Sequence, residues 1–364
     1  MEEDLKLLLY YVPITFAWIW GLIIRKGRIS LSFNWTEKQK KAYLIPVAAV
    51  AIILLGLRNT SVGADTANYA NFFTFCKNGG IPSQYPIQSF EIGYQILTKV
   101  TSYILPTYGY FFLLIAFVTI SLYFKFIYDN SEQLIVSSIV FLGMTYLPSY
   151  NLMRQWLGMA LCMNALTLLK RKRYFWGTLI ILLAFSIHTM MIFAVLIYPV
   201  ILCKNCRKAI RLYLSGEALI IIGSSTFFRL ISIIVPRYTK YVSSSSFASE
   251  GSVSSWMKVL IYFSISMLLY NKFVVEKDRD DLVYAIALSI AVCFSIMGNQ
   301  FQMFHRVAFL YSGVICAAMP RALKILYPRG RMLTIGLMII AMYGMSALTL
   351  QGGNHFTMYA TWIV

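Results

Sequence analysis

Charge is what this chain has least of. Only 13% of its 364 residues are Asp, Glu, Lys or Arg, where a soluble domain has about a quarter. Acids are scarcer still, 14 against 32 bases, giving a net charge of +18. The alternation of a membrane barrel is absent, as is any stretch polar enough to stand as a soluble domain. What fills the sequence instead is apolar: 59% hydrophobic and 16% aromatic, with a mean hydropathy of +0.68. Uncharged runs of fifteen to twenty residues recur. In lipid such runs must be helical, because nothing there can satisfy a free backbone N–H or C=O. The expected fold class is therefore all-α, a polytopic transmembrane helical bundle.

Other absences narrow the function. There is no aromatic RNA-binding motif, so the positive charge does not point to nucleic acid. Cys203 and Cys206 form a lone C-x2-C with no second pair, so no zinc site is expected. The start, Met-Glu-Glu-Asp-Leu-Lys, is acidic where a signal peptide would be basic; the apolar run behind it is read as a first span. No internal repeat is evident.

About twelve spans are expected: Leu8–Ile24, Tyr43–Leu57, Tyr108–Tyr128, Leu134–Leu147, Leu152–Leu169, Tyr174–Ile187, Thr189–Leu202, Leu212–Val235, Trp256–Tyr270, Leu282–Met297, Val307–Met319 and Met332–Leu350. The sixth and seventh are divided only by Ser186-Ile187-His188-Thr189, so they form a tight hairpin or one bent element. Residues 1–364 are read as a single integral-membrane domain. It has an external connection over 58–108 and an external serine-rich loop over 237–255, a plain surface loop or a lid.

Most of the lysines and arginines fall in alternate connections, led by Arg25 to Lys41, Lys170 to Arg173, Lys204 to Arg211 and Arg321 to Arg331. The positive-inside rule puts that set in the cytoplasm and both termini outside. On the outer side then lie Arg58, Asp65 and Tyr69; Glu91 and Tyr94; Arg154 and Gln155; His188; and His305 and Arg306. Not one span is expected to hold a carboxylate at its middle. Each residue also has a plain role: snorkelling for an arginine, a satisfied core group for a histidine, a helix N-cap for Glu91. Phe90 to Ile104 reads as amphipathic, with Ile92, Ile96, Leu97 and Val100 on one face. Gly56 and Gly63 would let the backbone turn or approach a ligand.

Ionisable groups gathered at one membrane face suit surface chemistry better than ion-coupled transport, which places them at mid-depth. Three arginines can hold a diphosphate, and a carboxylate or histidine can take a proton from an attacking hydroxyl. Tyr69, Tyr94, Tyr150 and Trp156 can stack on sugar faces.

Several segments, in order, resemble the EpsG family of Wzy-like exopolysaccharide polymerases. They are Gly56-Leu-Arg58 with Val62-Gly63-Ala-Asp65-Thr66 and Tyr69; Glu91-Ile-Gly93-Tyr94; Met153-Arg154-Gln155 with Ala160; Ser186-Ile187-His188; and Phe304-His-Arg306 with Tyr311. The resemblance implies a GT-C-like glycosyltransferase of the bacterial plasma membrane. It would join undecaprenyl-diphosphate-linked oligosaccharide donor and acceptor at the outer leaflet, in an O-antigen-type polymerisation without cofactor, metal or nucleotide sugar. The chain agrees in lacking an aspartate-rich motif and a glycine-rich phosphate loop. A chain-length regulator and a flippase are implied partners in the bilayer. On this expectation Arg58, Arg154 and Arg306 bind diphosphate; Asp65, Glu91 and His188 compete as the catalytic base; and Tyr69, Gln155, His305 and Tyr94 position substrate. The rival readings are an O-antigen-ligase-type transferase, a lipid-linked oligosaccharide flippase, and a scaffold without catalysis.

Overall fold

A computed structural model describes residues 7–26, 34–87, 89–223, 226, 252–299, 301–326, 332–351 and 359–363. Among them regular structure is helical throughout; the nearest thing to a sheet is an isolated antiparallel bridge between Arg58 and Thr361. In chain order the helices are α1 (Val12–Ile24, after a 3-10 turn Leu9–Tyr11), α2 (Glu37–Gly56), α3 (Thr66–Lys77), α4 (Ile92–Ile104), α5 (Tyr108–Asn130), α6 (Leu134–Val140), α7 (Met153–Lys170), α8 (Tyr174–Ile187), α9 (Tyr198–Leu202), α10 (Cys206–Ile222), α11 (Val253–Glu276), α12 (Arg279–Gly298), α13 (Phe304–Ser312), α14 (Ile315–Leu326) and α15 (Met332–Gln351). Four of these, α2, α5, α11 and α12, are long and apolar enough to cross a bilayer, and α13 with α14 makes a fifth across a 59° bend. The other apolar helices are shorter. The protein is a helical membrane protein, but twelve full spans are not what these helices present. Most of the loop over 237–255, the end of the expected eighth span and most of the tail lie outside the described residues.

Contacts divide the chain into two compact units: residues 1–192 with 319–364, and residues 193–318.

In the first unit, capping chemistry and charge mark the two ends. Helix α2 starts on a capping box in which Thr36 and Gln39 bond each other's backbone N–H. Around that start gather the basic groups. Arg25 lies over Trp35 and Lys40 over Tyr128; Lys125 and Arg171 pair with Asp129, and Lys324 with Glu132 at 2.6 Å. The N-termini of α6 and α8 and the C-termini of α1, α5 and α7 meet there. The opposite end carries fewer charged side chains, and its Lys77 and Lys99 donate to backbone carbonyls. It holds the C-terminus of α2, whose last carbonyls would otherwise lack donors. Residues 359–363 supply them: Tyr359 donates to Leu54 O at 2.7 Å, and Trp362 to Gly56 O through its indole and to Leu57 O through its backbone, both at 3.1 Å. Tyr10, just before α1, packs edge-on against Tyr150 and Tyr359 at this same end. Chain residues from near both termini thus flank Arg58.

Helix α4 inverts soluble amphipathicity. Its apolar stripe, Ile92, Ile96 and Val100, is exposed, whereas Tyr94, Thr98, Thr101 and Ser102 are buried. Leu97, expected on the apolar face, packs instead against the aromatic core built from α3, α4 and α5. Lipid accepts isoleucine, so the hydroxyl groups turn inward, where Thr101 donates to Leu97 O and Ser102 to Lys99 O.

In the second unit, α11 and α12 form a hairpin. Lys277 takes the left-handed conformation (φ 60°) that ends α11, and the Asp278 side chain caps α12 by accepting from Asp280 N–H. Lys272 pairs with the buried Asp281 at 3.0 Å. Glu217 lies well inside α10 and accepts a hydrogen bond from Ser289, midway along α12. The expected eighth span starts at Leu212, whereas the helix starts at Cys206, and α10 is not among the helices long and apolar enough to cross a bilayer.

Candidate functional site

The polar end of the first unit is built by three short stretches that close on one another. The first is the turn Asn59–Asp65. Gly63 sits at φ +93°, and an added Cβ would lie 2.7 Å from Tyr150 O and 2.9 Å from Thr66 Oγ1. Only glycine fits both the conformation and the space. Gly56, by contrast, is helical and serves close packing against Leu113 of α5. The turn is tied to the Tyr150–Leu152 corner: Thr66 Oγ1 donates to Val62 O and Tyr150 O, and Asp65 N–H donates to Asn151 Oδ1 at 2.8 Å.

The second stretch is the start of α4. Glu91 is the N-cap residue of this helix but makes no side-chain cap bond. Its carboxylate turns away to an ion pair with Arg154 at the start of α7. The other oxygen, Oε1, accepts from the Thr189 hydroxyl at 2.9 Å and from Thr189 N–H at 3.2 Å. Thr189 belongs to the third stretch, the break after α8, where His188 is extended (φ −152°, ψ 118°). Helix α4 reaches α8 because residue 93 is glycine: a Cβ there would lie 2.2 Å from Ser186 Oγ and 2.8 Å from Ser186 C and O.

Arg154 is buried, and its guanidinium faces three rings: Phe90 at 4.6 Å, Tyr94 at 5.4 Å and Tyr69 at 5.7 Å. This cation–π box holds the group in place while Glu91 neutralises it. Its Nε has no hydrogen-bond partner, so donor capacity remains. Arg58 is a different case. It is 1% exposed and lies between Phe112 (4.9 Å) and Tyr150 (5.9 Å). It donates to Leu55 O and to the Met153 sulfur. No carboxylate pairs with it among the described residues, and burial lowers its pKa. A snorkelling Arg58 is not what the structure shows.

Burial alone would raise the Glu91 pKa, but Arg154 and His188 beside it, with Thr189 N–H, more than offset this and hold it below the usual carboxylate value. A lowered carboxylate adds stability that is fully present above its ordinary value and is lost as pH falls through its lowered folded value. The purified protein should therefore lose thermal stability on acidification through that window, and Glu91→Gln should be the less acid-sensitive variant. Parallel melting-temperature curves for the two proteins would refute this.

Asp65 and His188 complete the group in this unit. The Asp65 carboxylate is half-buried and makes no hydrogen bond or ion pair among the described residues. His188 is buried, and its Nδ1 accepts from Met190 N–H at 3.2 Å. Tyr69, Tyr94, Tyr150, Gln155 and Trp156 are all buried, and the Trp156 indole donates to Thr145 O.

The sequence model of the EpsG family matches residues 41–361. The chain belongs to the EpsG family. The match spans every residue of the site just described. Comparison with curated proteins and with solved structures gives no match. EpsG membership gives the chain a polysaccharide-polymerase-like function in polysaccharide biosynthesis, on a scaffold of apolar membrane helices.

Arg306 and His305 open α13 in the second unit, both half-buried. The His305 ring lies against Gly298 at the end of α12; a Cβ there would come within 2.6 Å of it. Nearby, Ser255 donates to Asn299 Oδ1 at 2.6 Å. Of the residues expected from sequence, the structure brings together Glu91, Arg154, Tyr69, Tyr94 and His188, with Arg58, Asp65 and Gln155 on neighbouring turns of the same unit. Sequence reasoning missed Thr189, Phe90, Asn151 and Gly93 as parts of the site. Gly93 had a signal, since it lies two residues after Glu91 in one of the family-like segments.

Proposed function

We propose that this protein is a polysaccharide polymerase that joins polyprenyl-diphosphate-linked oligosaccharide repeat units at the outer leaflet of the bacterial plasma membrane. The observation that carries the reading is the Glu91–Arg154–Thr189 cluster. It is a buried, oriented guanidinium with donor capacity left, at the end of the first unit away from the basic groups. By the positive-inside rule that end faces outward.

The growing chain stays on its lipid diphosphate until transfer. A hydroxyl on the non-reducing sugar of a second lipid-linked unit attacks the anomeric carbon. The new C–O bond forms as the bond to the diphosphate breaks, and the polyprenyl diphosphate leaves with the bonding electrons. Arg154 stabilises the charge that grows on that leaving group, with Arg58 of the same unit as a further diphosphate ligand. Positive charge from arginine lets the transfer run without a metal. The hydroxyl proton goes to Asp65, our choice as base. Glu91 is committed to Arg154, and His188 Nδ1 is committed to a backbone N–H, whereas the Asp65 carboxylate is unoccupied. Tyr69 and Tyr94 act by fixing Arg154; Gln155 follows it on the same helix, and His305 precedes Arg306.

Purified protein in nanodiscs, given a single lipid-linked repeat unit, should yield a ladder of whole repeats by mass spectrometry. Asp65→Asn should lower the rate by about 10²–10⁴-fold with folding intact. An undiminished rate would remove Asp65 from the mechanism. No ladder from folded wild type would remove the polymerase.

The transporter reading has one observation in its favour, the interior carboxylate Glu217 with its Ser289 partner. Glu217→Gln separates the two. A polymerase keeps its ladder in that variant; a transporter loses transbilayer lipid movement.

A further inference from the structure

Two thiols in the second unit take no part in the transfer chemistry. Of the six cysteines, Cys76, Cys162, Cys293 and Cys316 are buried, whereas Cys203 and Cys206 are half-buried and free. The pair lies at the corner between α9 and α10: Cys203 follows the last residue of α9, and Cys206 is the first residue of α10. Residues three apart on an extended chain are separated by about 10 Å, too far for a disulfide. Here the chain bends at Lys204, and Cys203 Sγ comes to 3.2 Å from Asn205 O, the carbonyl of the peptide bond that Cys206 completes. Both sides of the corner are held. Arg279, at the start of α12, donates to Val200 O, Ile201 O and Cys203 O at 3.2, 2.8 and 3.0 Å. Asn205 caps α10 by accepting from Lys208 N–H at 3.2 Å. Little loop-closure entropy is then left to lose when the two sulfurs join. The thiols are not equivalent. Cys203 is engaged as a donor to Asn205 O, while the Cys206 thiol makes no hydrogen bond among the described residues. Around them Lys204, Arg207, Lys208 and Arg211 are exposed, and none pairs with a carboxylate among the described residues. Such a set of charges draws in anionic reagents and repels cationic ones.

We infer that Cys203 and Cys206 form a reversible dithiol–disulfide site that exchanges with anionic low-molecular-weight disulfides. The Cys206 thiolate attacks one sulfur of the small disulfide, so that a mixed disulfide forms and one small thiolate leaves. Cys203, as its thiolate, then attacks the Cys206 sulfur. The Cys203–Cys206 bond closes and the second small thiolate leaves. The protein gives up two electrons and two protons, and the small disulfide takes up both as two thiols. The inference stands apart from the polymerase reading and does not rest on it.

The test treats the reduced full-length protein in nanodiscs with oxidised glutathione, which is anionic, or with cystamine, which is cationic. Trypsin cuts after Lys204 and so separates the two cysteines, unless a disulfide holds the fragments together. Mass spectrometry of the glutathione-treated protein should find the joined fragments, and reduction should part them. At low salt oxidised glutathione should react about tenfold faster than cystamine, and high salt should narrow the gap. Cys203→Ser should keep glutathione attached to Cys206, because no second thiol can expel it, while Cys206→Ser should capture glutathione more slowly. Melting temperatures matching wild type would show that both variants fold, and the wild-type arms need neither variant. Three outcomes overturn the inference: both thiols capped by glutathione with no joined fragments, cystamine reacting as fast as oxidised glutathione at low salt, or neither thiol reacting in the folded protein. Equal capture by the two variants would overturn the assignment of Cys206 as the attacking thiol.

Discussion

Replacing Arg154 with alanine is expected to abolish polymer formation, a loss of about 10³-fold or more from removing a charge aimed at the leaving group. The variant will also be less stable. It leaves the half-buried Glu91 carboxylate without its cation, and breaking a buried ion pair from one side costs about 3–5 kcal/mol. Stability and catalysis separate in the double variant Glu91→Ala/Arg154→Ala, which removes both charges. It should recover most of the melting temperature and none of the activity. Arg154→Lys keeps the charge but not the planar, multi-donor geometry, and should remain far below wild type. If the double variant made polymer at the normal rate, Arg154 would be a structural group only, and the diphosphate assignment would fall.

Gly93→Val should rank next. The obstacle to a side chain at 93 is the Ser186 backbone as well as its hydroxyl, so rotation of one side chain cannot relieve it. Helix α4 would be pushed from α8, lifting Glu91 from Thr189 and slackening the ion pair that orients Arg154. We expect about 1–3 kcal/mol of destabilisation from overpacking and a loss of activity of about 10²-fold, since small displacements of an oriented group are costly. Ser186→Gly should rescue it only in part. Gly216→Val, with nothing near its Cβ, is the matched control and should fold normally. A fully active Gly93→Val protein would show that the α4–α8 contact does not set the site.

Much of the site's membership was legible because its residues violate the composition around them. Arginine, glutamate and histidine next to apolar runs are costly in lipid, so their positions stand out. What each would touch was not legible. Glu91 had the local context of a helix cap, and sequence gave no reason for its carboxylate to abandon the helix; the competing partner, Arg154, lies 63 residues away. Arg58 looked like a snorkelling anchor until its burial between Phe112 and Tyr150 was seen.

The sequence by itself determined the solvent and the family. Hydropathy is a local, additive property, so it marks the chain as a membrane protein of apolar helices, and the order of short segments marks the family. Tertiary structure alone decided that Arg154 is neutralised while Arg58 is not, that Gly93 lets α4 touch α8, and that residues 359–363 return to close the end of α2. Those outcomes depend on pairs separated by 63, 98 and 305 residues. Whether such pairs meet is set by side-chain volumes at helix crossings, and no window along the chain encodes them.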